Sequence, residues 1–253
     1  MPVEWLWQDR DALPLDDRGL AYGDGLFETV AVTPQGPVLW DAHAQRLLDG
    51  CARLGIGLSG AQLNDWWRAI ERRWIHDRGP SSHVIKLIVT RGSGGRGYRP
   101  PLHSDVRLIA SIHPLPAAPQ AGVAAQLCRT RLVPEELAGA KTLNRLPQVQ
   151  AARELRQDSF EGLMLNAQGF VTEGTRTNIL FCVDGALMTP PSRDLAVCGV
   201  LRDWLLREGG TRGIPVQEGR LAPSRLPACE GLALVSSVLG IVPVHKVDCL
   251  RLP

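Results

Sequence analysis

Lysine is scarce in this 253-residue chain: Lys86, Lys141 and Lys246 stand against twenty-five arginines. Arginine keeps its proton in proteins, so chemistry that needs a neutral amine near pH 7 has three candidates. Long apolar runs are missing, and nothing approaches the roughly 20 residues that span a bilayer. The six cysteines, at 51, 128, 182, 198, 229 and 249, include no C-x-x-C pair. That argues against a zinc site or a disulfide framework and fits a reducing compartment. An excess of charge is lacking too, with 28 basic and 26 acidic residues. An arginine-rich nucleic-acid binder would need a one-sided basic patch, and so many interspersed acids argue against one. The opening Met1-Pro2-Val3-Glu4-Trp5 has an acid where a secretory leader carries positive charge. The expectation is a soluble intracellular protein with neither membrane nor nucleic acid among its partners.

What is present is 44% hydrophobic residues, enough at this length for one large core or two modest ones. A proline-rich connector, 113–120, is expected to divide the chain. Residues 1–112 then form a smaller N-terminal α+β domain, and 121–253 a larger C-terminal domain carrying Lys141. In the first part the patterns predict strands at 26–32, 84–90 and 106–112. Ala44, Leu47, Leu48, Cys51 and Leu54 fall on one helical face. A second helix, 61–76, carries Trp66, Trp67, Ile70 and Trp74, a stripe suited to core or interface packing. Beyond the connector come a strand at 122–128 and a helix opened by Pro147, with Val149, Ala152 and Leu155 on one face. Hairpins follow, 163–165 with 170–172 and 177–183 with 186–189, the second turning at Asp184-Gly185. A helix at 200–207 and strands at 232–236 and 241–247 complete the pattern. The expected fold class is α+β (α/β) in two domains, with a pocket at their junction.

Several motifs carry chemistry beside an ordinary reading. Gly92-Ser-Gly-Gly-Arg-Gly97 matches G-x-G-x-x-G after a strand, but Tyr98-Arg99-Pro100-Pro101 is poor sequence for the helix a dinucleotide site requires. A glycine loop presenting Arg91 and Arg96 to an anion fits better, against a plain surface loop. Lys141 precedes a helix start, where positive charge opposes the helix dipole, and is the best candidate for a reactive amine. Lys86 sits in an apolar strand with its stem reaching toward an edge, and Lys246 looks solvated. Glu173 is flanked by Gly174, which allows close approach of a ligand; otherwise it is an exposed hairpin acid. Arg46 projects from the first helix, where a solvated guanidinium is the ordinary reading. The backbone N–H groups of Val200 and Leu201 open a helix and can hold a phosphate. Ser236 and Ser237 end a strand.

Taken together, these segments resemble the fold-type IV pyridoxal-phosphate enzymes, and among them the 4-amino-4-deoxychorismate lyases. The resemblance is carried by Arg18-Gly-Leu-Ala-Tyr-Gly-Asp-Gly-Leu-Phe-Glu-Thr29, His43-Ala-Gln-Arg-Leu47, Arg91-Gly-Ser-Gly-Gly-Arg-Gly-Tyr98, Lys141-Thr-Leu-Asn-Arg-Leu146, Val171-Thr-Glu-Gly174 with Asn178, and the stretch from Gly199 to Arg202. The first, second and fifth are shared with branched-chain and D-amino-acid aminotransferases, which form the alternative reading. The resemblance implies that Lys141 binds pyridoxal 5′-phosphate covalently and then serves as general base. It implies that Glu173 faces the pyridine nitrogen, and that Arg46, the Val200 and Leu201 amides and Ser237 hold the phosphate. Arg96 becomes the contact for a substrate carboxylate, and Thr29 a hydroxyl for proton delivery near the leaving oxygen. The implied reaction releases 4-aminobenzoate and pyruvate in cytoplasmic folate biosynthesis. The implied assembly is a homodimer, with the tryptophan-rich helix suited to its interface.

Overall fold

Strand alternation organises the first half of the chain in the computed structural model, which describes residues 3–75, 81–133 and 136–253. β1 (Val3–Trp7), α1 (Arg18–Tyr22), β2 (Gly25–Thr33), β3 (Gly36–Pro37), α2 (Trp40–Leu54), α3 (Gly60–Ile70), β4 (His83–Thr90) and β5 (Val106–Pro114) follow in order. The strands form one sheet in the order β1-β5-β4-β2-β3. Only the β1–β5 pair is parallel. Along β2, Leu26 and Val30 join the core shared with α2 and α3, and Glu28 faces the same way, toward His43 of α2. Phe27 and Thr29 therefore lie on the other face, since successive side chains point to opposite sides.

α3 starts at a capping box in which the Gln62 amide donates to Ser59 Oγ and the Ser59 amide donates to Gln62 Oε1. It gives way to a π-helical turn, Glu71–Ile75; His76, the end of the expected helix, lies outside the described residues. Trp66, Trp67, Ile70 and Trp74 are all buried within this unit's own core. Of the core or interface packing expected for that stripe, the rings take the core, packed with the sheet and α2. Lys86 sits on the central strand β4, half-buried, with its amine 5.6 Å from the Phe27 ring centroid.

Contacts divide the chain into two compact units, one comprising the described residues up to Leu115 with Ala140–Asn144, the other Pro116–Gly139 with Arg145–Pro253. The lysine expected in the C-terminal domain thus groups with the first unit. The cause is local. The start of β2 has an open edge, and the Phe27 amide donates to the Lys141 carbonyl while the Leu143 amide donates to the Gly25 carbonyl, both at 2.9 Å.

The second unit contains β6 (Val123–Leu132), α4 (Leu146–Ala152), β7 (Glu161–Asn166), β8 (Val171–Gly174), β9 (Asn178–Val183), β10 (Ala186–Thr189), α5 (Val200–Glu208), β11 (Gln217–Glu218), β12 (Gly231–Ser236), β13 (Gly240–Val247) and β14 (Leu250–Arg251). Eight strands run β11-β10-β9-β12-β13-β6-β7-β8, and β14 pairs with β13. α5 packs on β9 and β12 through Leu205 and Leu201 against Leu180 and Val235. The face expected for α4 is corrected. Val149 is half exposed, whereas Ala151 packs with Cys128, Leu132 and Met164, and Gln148 turns inward.

Candidate functional site

In the first unit, Lys141 Nζ lies 4.4 Å from the Phe27 ring centroid. An ammonium over an aromatic face is attracted by the ring quadrupole. Thr29 is two residues along β2 and shares the face of Phe27. Lys141 and Thr29 are thus carried by adjoining backbone, with the lysine segment hydrogen-bonded along the very strand that bears the threonine.

Arg46 is not a solvated guanidinium. Its Nε and Nη2 donate to Glu28 at 2.7 and 2.6 Å, and His43 Nδ1 meets the same carboxylate at 2.6 Å. Burial pushes the Glu28 carboxyl up, but the charge of Arg46 and the hydrogen bonds from His43 and Arg46 outweigh it, holding the group at about 2. Sequence reasoning missed this triad. Its signal was available: His43 and Arg46 are three apart on one helix and so share a face, and Glu28 is an acid on the helix-facing side of an apolar strand.

The glycine loop also differs from expectation. Arg91 presents nothing to an anion, because its guanidinium donates to Asp24 and to the Leu54 and Gly55 carbonyls. Arg96 is exposed at the loop tip. Below it, Arg18 is buried and donates to Asp24 and to carbonyls of the loop itself. Asp17, also fully buried, accepts from Thr90 Oγ1 and Arg107. No helix follows the loop, which leads through irregular chain to β5, so the dinucleotide pattern has no structural counterpart.

The second unit gathers the other candidates. Glu173, expected as either a site residue or an exposed hairpin acid, is only 3% exposed. Its Oε2 accepts from the Ala196 and Val197 amides at 3.1 and 3.2 Å, while among the described residues Oε1 meets only Gln148 Nε2, at 3.5 Å. Burial pushes the carboxyl up to about 7, against the lowering influence of the Val197 amide, Arg145, Gln148 and the Ala196 amide. One oxygen is therefore satisfied and the other barely so, which leaves room for one more hydrogen-bond donor.

The same 196–199 segment leads into α5. Asn178 Nδ2 donates to the Val197 carbonyl at 2.9 Å, and a Cβ at Gly199 would collide with Asn178 Oδ1. Only glycine lets the chain pass that close. No side chain caps α5, so its first-turn amides, those of Val200 and Leu201, have no side-chain acceptor, and such amides at a helix start can hold an anion. Asn178 also pairs with Val235 of β12, two residues before Ser237. Glu173, Val200, Leu201 and the Ser237 turn are thus linked through one asparagine. Ser236 spends its hydroxyl on the Leu239 amide. A buried acid set near the uncapped start of a helix is the donor set that a pyridine ring bearing a phosphate requires, and the residues fit that group.

Known proteins resemble this chain over most of its length. The profile described as amino-transferase class IV matches residues 25–247. A crystal structure of 4-amino-4-deoxychorismate lyase from Pseudomonas aeruginosa superposes with a TM-score of 0.88 and 42% identity, covering 96% of this chain and 90% of that one. Aminodeoxychorismate lyase from Vibrio harveyi is 31% identical over 242 residues, 93% of this chain and 88% of its own. A hypothetical aminotransferase from Mycobacterium tuberculosis, in its PLP-bound form, has a TM-score of 0.83 at 27% identity, covering 97% and 89%. With the match running from the first residue of β2 to the last of β13, the chain belongs to the class IV aminotransferase family, the fold-type IV pyridoxal-phosphate enzymes.

Proposed function

We propose that this protein is a pyridoxal 5′-phosphate-dependent lyase converting 4-amino-4-deoxychorismate to 4-aminobenzoate and pyruvate, a step of folate biosynthesis. Substrate and products have the same atoms, so neither water nor an oxidant is consumed. The observation that carries the reading is the half-satisfied Glu173 carboxyl, a partner awaiting a protonated nitrogen, in a chain where Lys141 is stationed on the β2 edge. The bound cofactor supplies an electron sink for the pair released when the ring proton of the substrate leaves.

The residues have distinct tasks in this reading. Lys141 would hold the cofactor covalently, and its amine would take the C4 proton of the substrate as general base. Glu173 holds a proton shared with the pyridine nitrogen. The Val200 and Leu201 amides, Arg46 and Ser237 bind the phosphate, combining helix-terminus, guanidinium and hydroxyl donors for one dianion. Thr29 Oγ1 delivers a proton to the departing enolpyruvyl oxygen. Arg96 pairs with a substrate carboxylate, which suits a planar guanidinium. A homodimer and a cytoplasmic location belong to the same proposal; light scattering on the eluting protein measures the first. Among the described residues no helix is long and apolar enough to cross a membrane.

The test is borohydride reduction of the purified holoenzyme followed by peptide mapping. The mass of the reduced cofactor is expected on the Lys141 peptide, and Lys141→Ala should lose both the adduct and essentially all turnover. An adduct on Lys86 or Lys246 would overturn the assignment.

A further inference from the structure

Within the loop that bears Arg96, the carbonyls on either side of that residue are met from beneath by one side chain, Arg18. Arg18 Nη1 donates to the Gly94 carbonyl at 3.3 Å and to the Gly97 carbonyl at 3.2 Å, and Nη2 donates to the Tyr98 carbonyl at 2.9 Å. Nε completes the set on Asp24 at 2.9 Å. Four of the five guanidinium N–H donors are thus committed, three of them to carbonyls on either side of Arg96. The Tyr22 ring lies 4.8 Å from the guanidinium carbon, and Tyr98 packs edge-on to Tyr22 at 5.6 Å. Arg18 is 2% exposed, so its guanidinium is committed to Asp24 and to the loop.

The glycines make this possible. Gly94, Gly95 and Gly97 have φ values of 138°, 69° and 77°, a region that side chains disfavour. That conformation turns the carbonyls of Gly94, Gly97 and Tyr98 inward toward one guanidinium and leaves Arg96 exposed between them. We propose that Arg18 is a positioning residue for substrate recognition, fixing the backbone on both sides of Arg96 so that its guanidinium is oriented before substrate arrives. This rests on the reading of Arg96 as the substrate-carboxylate contact. A loop ordered in advance costs less entropy to close on a ligand than one ordered by it, so the clamp acts on substrate capture rather than on the chemical step.

Arg18→Lys separates these roles. Lysine keeps the charge beside Asp24, but one ammonium cannot span three carbonyls as a planar fork does. In the holoenzyme, KM for aminodeoxychorismate should rise about tenfold, with kcat within about threefold of the parent and an unchanged cofactor absorbance. Trypsin should cleave after Arg96 faster than in the parent. If Arg18 acts through Arg96, adding Arg18→Lys to Arg96→Ala should change kcat/KM by less than about twofold, because coupled residues are not additive. An unchanged KM in Arg18→Lys, or equal losses in both backgrounds, overturns the clamp. Parent-level turnover in Arg96→Ala alone overturns instead the carboxylate reading on which it rests. Should Arg18→Lys fail to accumulate folded, Tyr22→Leu removes the ring beneath the guanidinium and should give the same split more weakly; no split there overturns the clamp as well.

Discussion

Arg46 grips Glu28 at two points, Nε to Oε1 at 2.7 Å and Nη2 to Oε2 at 2.6 Å. The pair ties α2 to the middle of β2, on the face opposite Thr29. A guanidinium fixed in this way is oriented by the sheet rather than by solvent, which is what a phosphate contact needs. It also makes Glu28 a stability element, because removing one partner leaves the other charge desolvated.

Glu28→Gln should therefore destabilise the apoprotein by about 3–5 kcal/mol at pH 7. The parent carboxyl is held at about 2, below its unfolded value, so its contribution is complete above about pH 4.5 and is lost as pH falls toward 2. Urea midpoints measured from pH 7 downward should show a constant gap between parent and variant that narrows below about pH 4.5. A gap that widens on acidification would contradict the ionised pair.

Glu173 has the opposite sign. Its folded pKa of about 7 lies above the unfolded value, so the folded apoprotein holds the proton more tightly. The associated stability is present below about pH 4.5 and is lost as pH rises through 7, to a total of about 3 kcal/mol. Glu173→Gln does not titrate. The stability difference, parent minus variant, should fall by that amount between pH 4.5 and 7.5 in apoprotein. A difference independent of pH would place the carboxyl in a solvated setting.

The close pass of Gly199 beside Asn178 predicts a binding effect. Gly199→Ala collides with the Asn178 side chain, which anchors the Val197 carbonyl, so either α5 or that anchor shifts and the Val200 and Leu201 amides lose their fixed position. Titration of the apoprotein with pyridoxal phosphate should show affinity weaker by about tenfold, roughly 1.4 kcal/mol. Unchanged affinity would remove those amides from the phosphate site.

Trp66 tests the core role of the tryptophan helix. It is fully buried, and truncation of such a ring costs about 3–5 kcal/mol through lost burial and a cavity. Trp66→Ala should lower the urea midpoint equally at dilute and concentrated protein. A loss confined to dilute protein would point to an intersubunit position.

Much of this was legible in the chain because local patterns carried it. The strand at 26–32 became Gly25–Thr33, the helix at 200–207 became Val200–Glu208, and the turn at Asp184-Gly185 joins β9 to β10. The α4 face was misjudged because the apolar periodicity of Val149, Ala152 and Leu155 competed with a polar residue, Gln148, drawn inward to reach Glu173. The burial of Glu173 was invisible for a related reason: its partners are backbone amides of Ala196 and Val197, which no side-chain pattern encodes. The same holds for Arg18, whose loop partners are carbonyls seventy-six to eighty residues away. Arg91 was misread because its acid, Asp24, meets it only when β2 and β4 pair.

The most direct test is a side-by-side assay of the unmodified holoenzyme. 4-Aminobenzoate and pyruvate are followed from aminodeoxychorismate, and keto acids from D-alanine and L-leucine with a keto-acid acceptor. The account predicts equimolar aminobenzoate and pyruvate, with turnover on the amino acids slower by about a hundredfold or more, since they offer Arg96 no second carboxylate. Efficient keto-acid formation with no aminobenzoate release would contradict the lyase and leave only the fold and the cofactor.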